Sequence, residues 1–182
     1  KVLGYRSRAA FKLLELNKKF KFIKKNSNLL DVGSSPGGWS QIAAEIIKSG
    51  KILSIDIKPM ESIKNVTFES YDFLEKSTKD QILKFFNNKV DVIISDMAAD
   101  TTGNKSLDCI RTNLLSAEVI SFSSKILGKN GKLVCKLFMG DDFLEVKELA
   151  KKEFSKVEFF KPESSRSESK ETYIHCSSLK TL

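Results

Sequence analysis

The chain has 182 residues, with 31 Lys and Arg against 23 Asp and Glu, a net charge of +8, 41% hydrophobic and 30% charged side chains. That length favours one domain, 1–182, and the composition excludes a disordered, collagenous or disulfide-stapled chain. No apolar run approaches the roughly 18 residues that span a bilayer, and no charged-then-apolar leader opens the sequence, so an intracellular protein without a membrane partner is expected. Because the chain starts at Lys1 and not at Met, the compartment (cytoplasm, nucleolus or mitochondrion) stays open.

Residues 1–25 hold nine basic side chains and one acid, Glu15, so this segment carries the whole +8 and residues 26–182 sum to zero. Ala9, Ala10, Phe11, Leu13, Leu14, Leu16, Phe20, Phe22 and Ile23 are interleaved with the cations, which predicts an amphipathic helix that fixes them at one site on the body. Arg6, Arg8, Lys18, Lys19 and Lys21 are the candidates there for contacts to a polyanion.

Next comes a buried strand, Asn28 to Gly33, ending in a Gly-rich turn, and a helix with apolar spacing from Trp39 to Lys48. A second strand covers Lys51 to Ile57, a short third Asn65 to Glu69, a helix Thr78 to Phe86, and a fourth strand Val90 to Ser95. A long helix, Asp108 to Leu127, stops at Gly128; then follow a fifth strand, Lys132 to Phe138, a helix, Asp141 to Glu153, and a terminal strand pair, Val157 to Phe160 with Thr172 to Cys176. Ala99 to Lys105 and Ser164 to Lys170 read as loops. Alternating strands and helices at this spacing predict a doubly wound, Rossmann-like α/β sheet with helices on both faces. Cys109, Cys135 and Cys176 are odd in number and widely spaced, and with His175 they are read as small buried groups; no metal site is expected.

In such folds the ligand sits outside the carboxyl ends of the strands, where strand order reverses. Asp31, Gly33, Ser35, Pro36, Gly37, Gly38, Trp39, Asp56, Asp72, Asp96 and Lys136 all fall at or just past predicted strand ends, with Ile57 and Phe73 beside two of them. Gly33-x-x-x-Gly37-Gly38 lacks the G-x-G-x-x-G spacing of a pyrophosphate turn, and no Gly-Lys-Ser/Thr follows for a P-loop. An acid before the turn, glycines for close backbone approach, and Asp56 placed for ribose hydroxyls suit a nucleoside without phosphates, with S-adenosylmethionine the leading candidate. Lys136 stands in a buried run with Leu133, Val134, Cys135, Leu137 and Phe138, where a lysine is costly unless paired.

Taken together, Tyr5-Arg6-Ser7-Arg8-Ala9-Ala10-Phe11-Lys12-Leu13, Asp31 to Gln41, Ser95-Asp96-Met97-Ala98, Cys135-Lys136-Leu137-Phe138 and Lys161 to Tyr173 closely resemble the FtsJ/RrmJ family of RNA ribose 2′-O-methyltransferases, over essentially the whole chain. The resemblance implies a methyltransferase core after a basic RNA-binding region at residues 1–25, and S-adenosylmethionine held at Gly37, Trp39, Asp56, Asp72 and Asp96. It also implies a catalytic tetrad of Lys12, Asp96, Lys136 and Glu171. Two departures are visible: Ser34-Ser35 where Ala-Ala is common, and Ala99-Asp100 where Pro-Asn is frequent. A ribose hydroxyl needs in-line alignment and a base, and Lys136 is the candidate, with Lys12 positioning the oxygen and both acids orienting the lysines. Burial and a neighbouring cation push a lysine toward neutrality while carboxylates oppose that, and the sequence leaves the balance open. The expected substrate is a uridine of large-subunit ribosomal RNA, met by a monomer; a transfer RNA anticodon loop and a small molecule are the alternatives.

Overall fold

The computed structural model describes residues 3–180; the Lys1 included in the basic segment lies outside them. Helix α1 (Ala9–Phe20) precedes β1 (Leu29–Val32), α2 (Gly38–Ile46), β2 (Ile52–Ile55), β3 (Thr67–Glu69), α3 (Lys76–Phe86) and β4 (Val90–Ser95). After these come α4 (Lys105–Ile126), β5 (Leu127–Phe138), α5 (Phe143–Glu153), β6 (Phe154–Phe160) and β7 (Glu171–Leu179). All seven strands form one sheet in the order β3-β2-β1-β4-β5-β7-β6. The first five are parallel, and β7 inserts antiparallel between β5 and β6.

The central strands are apolar because both faces are covered. Leu29, Val92, Ile94 and Val134 pack with Leu13, Leu16, Trp39 and Ile42 of α1 and α2 on one side. Leu30, Ile93, Leu133 and Cys135 pack with Ile82 and Phe86 of α3, Val119 and Ile120 of α4 and Val146 of α5 on the other. Leu13 and Leu16 are fully buried. Truncating either to Ala would cost about 2–5 kcal/mol, so apolar burial and not charge holds α1 on the body.

The amphipathic segment is shorter than expected. Lys21 adopts a left-handed conformation (φ 50°) and stops α1, while Phe22 and Ile23, 2% and 4% exposed, reach the core from the following loop. Helix α4 starts three residues early, because the Asn104 side chain accepts the Leu107 amide and caps it. Strand β5 begins at Leu127, with a register shift against β4 that absorbs residues 128–131. Strand order reverses between β1, which leads to β2 and β3, and β4, which leads to β5. A crevice therefore opens at the carboxyl ends of β1 and β4.

Candidate active site

The turn after β1 is shaped by two glycines. At Gly33 (φ +74°) a Cβ would sit 2.8 Å from Met97 Cβ, and at Gly37 (φ +114°) it would sit 3.0 Å from Arg6 Nη1, Ile63 Cδ1 and Met60 Sδ. The Gly33 and Ser34 amides donate to Ile55 O at 2.9 and 3.0 Å, and the Ser35 amide donates to Asp56 Oδ2 at 2.9 Å. Asp56 Oδ1 accepts the Lys58 amide at 2.8 Å. Asp31, 1% exposed, accepts from Ser40 Oγ at 2.7 Å. Burial, against the Ser40 hydrogen bond and helped by the charges of Asp96 and Asp56, pushes its carboxyl up to about 7. Three carboxylates thus crowd one turn, and of them only Asp96 has a partner cation, Lys136, which suits a positively charged ligand carrying a diol.

Four charged side chains meet at the ends of β4, β5 and β7. Lys136 Nζ lies 3.3 Å from Asp96 Oδ1 and 4.0 Å from Glu171 Oε2, and donates to Asp96 O at 3.2 Å. Lys12 Nζ reaches across from α1 to Glu171 Oε1 at 2.7 Å. Burial would raise the Glu171 carboxyl, but the Lys12 hydrogen bond with the charges of Lys136 and Lys12 outweighs it and holds it below the usual range. Tyr173, buried two residues along the same face of β7, donates its hydroxyl toward Asp96 Oδ1 at 2.5 Å and Glu171 Oε1 at 3.0 Å. Burial and those two acids push the phenol far above its usual value, so its proton is permanently available to bridge them. Ser165 Oγ adds a third donor to Glu171 Oε1 at 3.1 Å. Sequence reasoning gave neither residue a role, although i, i+2 alternation from Glu171 pointed at Tyr173.

A cleft of about 910 Å³ opens on the far side of the tetrad from the glycine turn, bounded by Arg8, Lys12, Ala99, Phe138, Arg166 and Glu171. It is large enough for a nucleotide-sized group. Lys105 and Lys170 stand on its rim, so the two soft loops of the sequence form its walls. Cys109 lines the cleft and is half-buried, unlike the buried Cys135 and Cys176, so its reading as a buried group is corrected. Lone acid Glu15 accepts the Ser164 amide at 3.1 Å and ties α1 to that wall.

Several expected site residues take other parts. Arg6 does not face the cleft: its guanidinium donates to Pro36 O at 3.2 Å, Glu61 O at 2.6 Å and Ser62 O at 2.7 Å, clamping the glycine turn to the loop after β2. Its own amide donates to Gln41 Oε1 of α2 at 2.8 Å. A planar fork answered by three carbonyls has little left for phosphate, so Arg6 moves from the substrate side to the cofactor side. Lys18, Lys19 and Lys21 are exposed at the C-terminal end of α1 and do not line the cleft, which Arg8 and Lys12 do. Trp39 is 3% exposed, donates Nε1 to Ala9 O at 2.7 Å and packs on Tyr173, so its ring is core and not a ligand wall. The Phe73 ring packs edge-on against Phe122, leaving only its backbone for a ligand. Asp72, accepting the Leu74 amide, and Ile57 are exposed at the same end of the sheet. Ser35, Pro36 and Gly38 lie in the turn and at the start of α2, as expected. His175 is buried and stacked on Phe20 at 4.1 Å, far from this chemistry.

The family model for FtsJ-like methyltransferases matches residues 5–179. The chain belongs to that family. Its chemistry is methyl transfer. It is 46% identical over 177 residues to a ribosomal RNA large subunit methyltransferase E from Pelagibacter ubique, covering 97% of this chain and 87% of that protein. A protein of the same name from Rickettsia akari is 43% identical, with 96% and 79% covered. A crystal structure of a Plasmodium falciparum protein provisionally named a ribosomal RNA methyltransferase superposes with a TM-score of 0.85 at 32% identity, covering 96% and 98% of the two chains. Human methyltransferase-like protein 13, solved with S-adenosylhomocysteine, shares the fold at 17% identity and a TM-score of 0.63. Among the described residues no helix is long and apolar enough to cross a membrane, and no three His, Cys, Asp or Glu side chains cluster as metal ligands.

Proposed function

We propose that this protein is an intracellular, monomeric RNA methyltransferase that modifies a ribose 2′-hydroxyl, with large-subunit ribosomal RNA as its substrate. The observation that carries the reading is the Lys12–Glu171–Tyr173–Asp96–Lys136 network, set between an acidic glycine turn on one side and a cation-rimmed cleft on the other. The names of the relatives support ribosomal RNA over transfer RNA or a small molecule.

S-adenosylmethionine supplies a methyl group on a positively charged sulfur. Asp56 would hold the ribose diol, the acids Asp31 and Asp96 would offset the positive charge, and Arg6 holds the turn that would seat the ligand. The other reactant enters from the cleft, its phosphates drawn by Arg8, Lys105, Arg166 and Lys170. Lys136 Nζ is placed to take the proton of the 2′-hydroxyl, so that the oxygen would accept the methyl group while the donor sulfur keeps the electron pair of the broken bond. Lys12 steadies the developing negative charge on the oxygen, and Glu171 and Asp96, bridged by Tyr173, keep both lysine side chains aimed.

The direct test is to map 2′-O-methylated positions on total RNA after depleting the protein. One lost position in large-subunit RNA is expected, restored by the wild type and not by Lys136→Ala. Loss confined to a transfer RNA would overturn the substrate.

A further inference from the structure

The balanced charge of residues 26–182 hides a separation along the strands, to which the end of the basic segment, Lys21 to Lys25, adds. Every helix runs back against the sheet, so the segments entering the parallel strands collect at one pole, opposite the active site. Lys21, Lys24 and Lys25 lead into β1, Lys48 and Lys51 into β2, and Lys89 into β4. Lys129 and Lys132 open β5, Lys151, Lys152 and Lys156 flank the start of β6, and Lys180 ends β7. Across these segments (21–28, 47–51, 87–91, 127–132, 151–156 and 177–180) twelve lysines face two acids, Asp91 and Glu153. The opposite connections (33–37, 56–63, 70–75, 96–104, 139–142 and 161–171) hold eleven carboxylates against four cations, to which Arg6 and Arg8 add two.

The pole is a continuous surface. The Lys48 and Ser49 amides donate to Lys25 O at 2.7 and 3.0 Å, Asn28 Nδ2 donates to Lys89 O at 2.9 Å, and the Lys51 amide donates to Asn28 Oδ1 at 3.0 Å. Lys132 pairs in register with Val92, Lys156 with Ser177, and the Lys180 amide donates to Glu153 O. Helix C-termini favour a nearby cation by about 0.3–1 kcal/mol, which accounts for lysines in last turns such as Lys151 and Lys152. It does not account for Lys24, Lys25, Lys89 and Lys129, which lie beyond the helix ends, are exposed and make no ion pair among the described residues.

We infer that this lysine pole is a second RNA-binding surface, which grips phosphates of the ribosomal particle away from the methylated nucleotide. The inference rests on the RNA reading above. With about 3.3 Å per residue, β4 alone sets the pole roughly 20 Å from Asp96, so a single small stem cannot engage both ends at close range. A separate strand or stem of a large RNA can, and each phosphate contact contributes through counterion release without reading sequence.

The test replaces Lys24, Lys25 and Lys89 together by Gln and compares three substrates: large-subunit particles from cells depleted of the enzyme, the naked large-subunit RNA, and a short synthetic RNA bearing the nucleotide that the wild type methylates. Expected are an unchanged kcat, a KM about tenfold higher for particle and naked RNA, a salt slope shallower by about 2 to 3, and no change on the short RNA. An unchanged KM on the particle, or an equal loss on the short RNA, would overturn the pole as a separate surface. A deficit on particles that vanishes on naked RNA would assign it to a ribosomal protein instead. Should the wild type methylate none of the three, the reading of the active site fails, independently of the pole. Unaltered thermal unfolding of the variant confirms that these lysines do not serve the fold.

Discussion

The two ends of one sheet do opposite electrostatic work. At the carboxyl ends the carboxylates outnumber the cations, and Asp31, Asp56 and Asp96 crowd a turn suited to a cationic ligand; Lys12 and Lys136 survive there because Glu171 and Asp96 pair with them. At the amino ends twelve lysines stand against two acids in the segments that enter or leave the strands, and all of these lysines but the half-buried Lys132 are exposed. Chemistry needs charges fixed and paired at short distance, whereas non-specific attraction to RNA needs charges free and displayed. The contrast explains why a chain with a net charge of only +8 can present a strongly basic surface while keeping an acidic site.

Changes confined to one end separate the two roles. Lys136→Ala should reduce methyl transfer by about 10²- to 10⁴-fold, the range of a positioned acid or base, with cofactor affinity nearly intact by calorimetry and RNA affinity unchanged. Near-normal turnover would remove Lys136 from the role.

Asp31→Asn relieves the acid crowding itself. Asp31 has its folded pKa raised to about 7 from 3.8, so between these values the folded state binds more protons than the unfolded one. Its contribution to stability is therefore full below about pH 4 and lost as pH rises through about 7. Urea midpoints at pH 5 and pH 8 should differ less in Asp31→Asn than in the wild type, by on the order of 3 kcal/mol in unfolding free energy. Identical pH dependence would mean that Asp31 is ionised throughout.

Arg6→Lys keeps the charge and loses the fork. Cofactor dissociation should rise about tenfold, the equivalent of one charged hydrogen bond, with the salt dependence of RNA binding unaltered. A shallower salt slope with normal cofactor affinity would return Arg6 to the RNA side. Smallest is Tyr173→Phe, expected to lower kcat by a few-fold at constant KM, since it removes one bridge while both ion pairs persist. A larger loss of thermal stability than of kcat would make Tyr173 a core residue only.

The sequence by itself determined the order of strands and helices, because buried parallel strands are short apolar runs and the helices between them keep a 3.6-residue period. It also placed Asp96, Lys136 and the glycine turn, since strand ends in a doubly wound sheet converge whatever the side chains elsewhere, whereas Lys12 and Glu171 were legible only through the family resemblance. Which cations do which work was decided only by the tertiary structure. Arg6 and Arg8 are two residues apart, yet one is taken up by three carbonyls from distant loops and the other faces the cleft. Trp39 follows the glycines as a ligand wall would, yet Ala9 O on another helix claims its ring nitrogen. The lysine pole is invisible to any count along the chain, because its members are scattered from Lys21 to Lys180. They meet only because parallel strands with antiparallel helices bring every second connection to the same end. Charge along a sequence is a sum, whereas charge on a fold is a field, and the topology of the sheet sets its direction.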